Sequence, residues 1–128
     1  MGDMARYQVR GRANTPQRIH LFDPETNEQT DDWLDIVSSL SDAFRLARDR
    51  AMQESGALAS ERDDAKRKDA LESIKRDMQA SLVAAWSFDA PCTTANVSAF
   101  LIEAPQVAMM IVSVADDNAR FFKVALQA

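Results

Sequence analysis

Apolar positions recur at helical spacing over most of this chain, and the exceptions lie near its N-terminus. Residues 1–17 hold Gly2, Gly11 and Pro16 and little periodicity, which predicts a largely irregular, flexible arm. Arg18 to Phe22 is a short run with apolar residues on both faces, and it stops at Asp23-Pro24. Asp-Pro starts turns, because Pro fixes φ and Asp can bond the backbone that follows. Trp33 to Val37 resumes with aromatic and β-branched residues, which favour strands. The two runs predict a β-hairpin over residues 18–38 with a loop of about eight residues, longer than most hairpin loops.

Ser41 is a good N-cap, and Ala43, Phe44, Ala47 and Ala51, with Leu46 alongside, predict a helix over 41–54 that Gly56 closes. Ser60 to Asp69 carries eight charges in ten residues. Asp63/Arg67 and Asp64/Lys68 are acid-before-base pairs four apart, each contributing about 0.3 kcal/mol on a helix surface. Leu71, Ile74, Met78, Leu82, Ala85 and Trp86 then form an apolar stripe. A long helix is therefore expected over 58–88, its first half solvated and its second half facing the core, with a break at Asp89-Ala90-Pro91.

Thr93 or Thr94 caps the next helix, whose apolar face is Val97, Phe100, Leu101 and Ala104. Pro105 stops or restarts it, since Pro suits only a first turn. Val107 to Ala115 is apolar on almost every side, and Ala119 to Leu126 reads as a last turn or two, so C-terminal helices are expected over 93–126. The expected fold is mainly α: one small helical domain, residues 18–128, with a short N-terminal β-hairpin packed on it.

Composition narrows the chemistry. One Cys and one His exclude a disulfide framework, a Cys-built zinc site and a multi-His site, and three Gly argue against a phosphate-cradling loop. The net charge of −5 speaks against nucleic acid as the main partner. That charge is segregated. Residues 1–18 carry Arg6, Arg10, Arg12 and Arg18 against Asp3, while residues 19–40 carry Asp23, Glu25, Glu28, Asp31, Asp32 and Asp35 and no Lys or Arg. The arm either meets an acidic partner or nucleic acid, or is a mobile terminus that folds back on its own acidic neighbour or does nothing. No signal-peptide pattern and no stretch long enough to span a membrane is present, so a cytosolic chain with Cys92 as a thiol is expected.

No catalytic constellation follows. His20 has no nucleophile or acid at a suggestive spacing. Cys92 precedes a helix start, which can lower a thiol pKa, but no basic neighbour supports a reactive role. The acids from Asp23 to Asp35 lack the Gly and terminal Glu of a calcium loop, and a solvated acidic hairpin is the plainer reading. Met52, Met78, Met109 and Met110 read as core filler, and Trp86 as mainly core, with Phe88 a contact candidate. Neither a cofactor nor a metal is expected.

The order of short motifs does carry a resemblance. Asp23-Pro24-Glu25-Thr26 is followed by Trp33-Leu34-Asp35-Ile36-Val37 and by a helix opening Ser41-Asp42-Ala43-Phe44-Arg45. A charged middle helix runs into Ala85-Trp86-Ser87-Phe88. Pro91-Cys92-Thr93, with Asn96-Val97, leads to Phe100-Leu101-Ile102-Glu103-Ala104-Pro105-Gln106-Val107 and to an Ala119–Phe122 end. Over about residues 19–123 this resembles the tail assembly chaperones of long-tailed bacteriophages.

The resemblance implies a mainly helical, non-catalytic protein. Such a protein binds the tape measure protein, recruits major tail tube protein subunits, works in the cytoplasm of the bacterial host and is absent from the mature virion. A chain of this length corresponds to the short form of that family, and the basic arm is outside the pattern. A holdase needs apolar patches and self-association, so a homo-oligomer is expected. Phe88, Phe100, Val107, Met110, Ile111, Phe121 and Phe122 are the expected partner contacts. The competing readings are a structural virion protein of the head-tail connector or tail terminator type, a small enzyme or metal-binding protein using the acidic hairpin, and a DNA-binding regulator using the Arg arm. Neither nucleic acid nor membrane is expected as a partner.

Overall fold

A computed structural model describes residues 2–123. The chain is mostly helical, with a three-stranded antiparallel sheet that includes the N-terminal hairpin. The elements in order are a 3-10 turn (Met4–Tyr7), α1 (Arg10–Ala13), β1 (Gln17–Phe22), β2 (Gln29–Ile36), α2 (Asp42–Ala57), a second 3-10 turn (Leu58–Ser60), α3 (Asp64–Ala80), β3 (Val83–Trp86), α4 (Thr94–Glu103), α5 (Pro105–Ala115) and α6 (Asn118–Phe122). The expected turn at residues 124–126 lies outside the described residues.

The sheet order is β1-β2-β3, so β2 is central. Its alternation sets the two faces. Leu34 and Ile36 are buried in the core, while Trp33 and Asp35 lie on the opposite face. There Arg18 pairs across the strands with Asp35 at 2.9 Å and stacks 3.5 Å from the Trp33 ring centroid. Residues 23–28 close the hairpin more tightly than expected. Asp23 Oδ1 accepts from the Glu25 amide at 2.8 Å, and Asn27 takes a left-handed φ of 58°. Asn tolerates that region better than most residues.

The long helix expected over 58–88 is not one element. Asp63 caps α3 by accepting from the Ala65 and Lys66 amides, so the helix begins at Asp64. That use of the Asp63 carboxylate explains why Arg67 bonds Asp64 at 2.6 Å instead of Asp63. The helix ends at Ala80, and Val83 to Trp86 form β3. The reason is tertiary. Leu34 and Ile36 put β2 in the core, and a buried strand must find partners for the backbone groups on both of its edges. β3 supplies them, pairing Leu34 with Trp86 and Ile36 with Val83. The Val37 amide bonds the Leu82 carbonyl at 2.9 Å and the Ser87 amide bonds the Trp33 carbonyl at 3.1 Å, extending the pairing at both ends.

α2 runs to Ala57, past the expected end at residue 54, with Gly56 inside the helix at an ordinary φ. Ser41 and Thr93 cap α2 and α4 as expected, accepting from the Phe44 and Asn96 amides. Pro105 restarts the chain as the first residue of α5. The core joins Leu34, Ile36, Leu82, Val97, Leu101 and Ile111, with Phe121 closing one end. α4 and α5, the most apolar helices, are spent on this core.

Residues 1–17 depart from the flexible-arm expectation. Ala13 is fully buried, and its carbonyl accepts from the Ser38 amide at 3.2 Å. Arg10 grips Asp42 with a two-pronged contact, Nε to Oδ1 and Nη2 to Oδ2, both at 2.9 Å. Arg12 donates to the Phe122 carbonyl at 2.8 Å. Residues 10–17 are therefore part of the domain.

Candidate interaction surface

The seven expected contact residues do not form one surface. Val107, Ile111 and Phe121 are 8%, 0% and 6% exposed, so they belong to the core and offer nothing to a partner in this fold. The correction has a simple cause. α5 is apolar nearly all round because it packs on several neighbours at once, β2 and α3 among them. Met110 and Phe122 are half-buried against the core. Phe122 is further covered by Arg12, whose guanidinium lies 5.9 Å from the ring centroid.

Phe88 and Phe100 do come together. With Trp86 they form an aromatic trio, with ring centroids 5.3 Å apart for Trp86–Phe88, 6.0 Å for Trp86–Phe100 and 5.2 Å for Phe88–Phe100. The Trp86 indole N–H donates to the Ala90 carbonyl at 2.7 Å, pinning the loop after β3. The trio lines a shallow depression with Ala90 and Asn96. It is half-buried and joins β3 to α4.

The exposed large apolar residues lie elsewhere. They include Leu46 (65%) and Met52 (67%) on α2, Leu71 on α3, Tyr7 and Leu40 beside the start of α2, Phe22 at the end of β1, and Met109 on α5. No residue of α2 is buried, and Ala80 alone is buried in α3. The two helices pack on each other and leave a groove on either flank, with Ala51, Ile74 and Met78 lining both. Leu46, Arg50 and Glu54 edge one groove, and Arg48, Met52 and Lys75 edge the other. Sequence reading placed Leu46 beside the helix face and Met52 in the core. The signal for this surface was present: Phe44, Ala47, Ala51 and Leu58 already make a complete inward stripe, which leaves Leu46 and Met52 outside it.

His20 faces Trp33 across the hairpin, and its Nδ1 has no hydrogen-bond partner among the described residues. Burial pushes the Cys92 thiol up from its ordinary pKa, and its sulfur points to the Val83 carbonyl at 3.9 Å. Among the described residues, no group of three or more His, Cys, Asp or Glu side chains is placed to hold a metal ion. Among the described residues, no single helix is long and apolar enough to cross a membrane; α4 and α5 pass only jointly, and they are bent by 118°. Three of the four arginines of the arm, Arg10, Arg12 and Arg18, bond within the chain, to Asp42, Phe122 and Asp35.

No family model, no curated protein and no solved structure matches this chain.

Proposed function

We propose that this chain is a non-catalytic tail assembly chaperone of a long-tailed bacteriophage. In this reading it binds the tape measure protein and recruits tail tube subunits while the tail is built in the host cytoplasm. The observation that carries the reading is the order of motifs along residues 19–123, set out above. Two physical features support it. A chaperone for long amphipathic helices needs exposed grooves with apolar lining, and α2 and α3 carry one on each flank. It also needs those grooves on a surface the core does not require, and no α2 residue is buried.

The experiment is co-expression with the tape measure protein of the same genome and with its tail tube protein, followed by purification through a tag on this chain. The expected result is a soluble complex with the tape measure protein, and no copy of the chain in purified virions. Recovery of the chain alone overturns the proposal. Its presence in finished particles overturns it in favour of a structural virion protein.

A further inference from the structure

We propose that copies of this chain associate head to tail, the acidic end of the β1–β2 hairpin of one copy seating on the basic-edged grooves beside α2 of the next. The proposal stands on charge and shape within the chain and does not depend on the chaperone reading.

One surface is the pair of depressions that share Arg48. The first lies between α2 and α3 and is lined by Met52, Leu71 and Ile74 together with Arg48 and Lys75. The second has Tyr7, Val9 and Leu40 with Arg10, Arg45 and Arg48. No Asp or Glu lines either one. Arg10 is committed to Asp42, and among the described residues Arg48 pairs only with its neighbour Asp49, at 3.4 Å. Arg45 and Lys75 make no salt bridge among the described residues. In a chain of net charge −5, a face with this lining calls for an acidic occupant with an apolar element.

The hairpin end has that chemistry. Glu25, Glu28 and Asp31 are exposed and make no salt bridge among the described residues. Phe22, 58% exposed, sits directly before the loop and offers an apolar knob beside the carboxylates. No residue of the hairpin lines either depression, so the match is left to a second copy. The two surfaces differ, so the contact is heterologous and propagates into a ring or an open chain. A nucleic acid suits the site less well, because its phosphate backbone offers no apolar knob for Met52 and Leu71.

The test is sedimentation velocity of the full chain over a concentration series at about 50 mM and about 500 mM salt, which spans most of the screening range. Two double variants accompany it: R45E/R48E on the groove and E25K/E28K on the hairpin. All four positions are exposed. The expected result is association at low salt that weakens at high salt, a drop of about tenfold or more in association for either variant alone, and recovery when the two are mixed. If R45E/R48E fails to fold, Lys75→Glu reads the same groove. A chain that stays monomeric throughout overturns the proposal. So does association indifferent to these changes, or a mixture that fails to recover.

Discussion

At the residue scale, the contact between Arg10 and Asp42 ties the N-terminal segment to the first turn of α2. Hydrogen bonds from Arg10 and then Asn14 hold the Asp42 carboxyl below its usual range against the opposing effect of desolvation. A carboxylate lowered in this way stabilises the folded state above its unfolded pKa, and that contribution fades as pH falls through the lowered folded value. Asp42→Asn is therefore expected to melt below the wild type at pH 7. The gap should narrow as the pH drops below about 4, the ordinary range of an aspartate. Thermal melts at pH 7, 5 and 3 check this, and a gap that stays constant with pH contradicts the role given to the charge. The site is solvent-exposed, so the effect is modest. The charge layout of the sequence allows the fold-back of the arm as one reading among several. The partner was not legible, because Asp42 is 32 positions from Arg10 and any of the acids between Asp23 and Asp42 could have served.

At the element scale, stability is unevenly shared. β2, α4 and α5 hold most of the core, whereas α2 contributes no buried residue and α3 contributes Ala80 alone. Elements with few buried apolar residues open at lower free energy than the global unfolding reaction. Hydrogen exchange should therefore show the amides of α2 and of the first half of α3 exchanging earlier than those of β2 and α5, by about tenfold or more. Uniform protection across all four would mean that the helical hairpin is locked to the body. The same unevenness explains what sequence could show. α2, α4 and the restart at Pro105 were legible because caps and periodicity are local. β3 was not, because the stripe Ile74, Met78, Leu82, Ala85 and Trp86 fits a helix by spacing alone. What breaks that helix at Ala80 is the open edge of β2, an influence from residues about fifty positions away. The exposed apolar surface of α2 and α3 was missed for a related reason. Apolar density along the chain peaks in α5, and the most apolar helix is the one the core uses.

For the whole molecule, the N-terminal segment works as a clasp. Ala13 is buried and its carbonyl takes the Ser38 amide, Arg10 holds α2, and Arg12 reaches the Phe122 carbonyl on α6. These contacts bridge the start of the chain, the exit of the hairpin and the last described helix. Removing residues 2–14 leaves the Ser38 amide without its partner and opens the Ala13 site. Loss of a buried hydrogen-bond partner alone costs about 1–3 kcal/mol. Because Ser38 is itself fully buried, the upper part of that range applies, and the Arg12 bond and the Ala13 methyl add to it. A loss of about 3 kcal/mol corresponds to a fall in melting temperature of roughly 10–15 °C for a domain of this size. The truncated chain should keep its helical circular dichroism spectrum at low temperature, because the core residues from Leu34 to Phe121 are retained. A truncation that melts within about 2 °C of the full chain would return the segment to the status of a loose arm. The single substitution Ala13→Asp separates the two readings: a loose arm tolerates it, whereas a clasp with a fully buried Ala13 should lose as much stability as the truncation does.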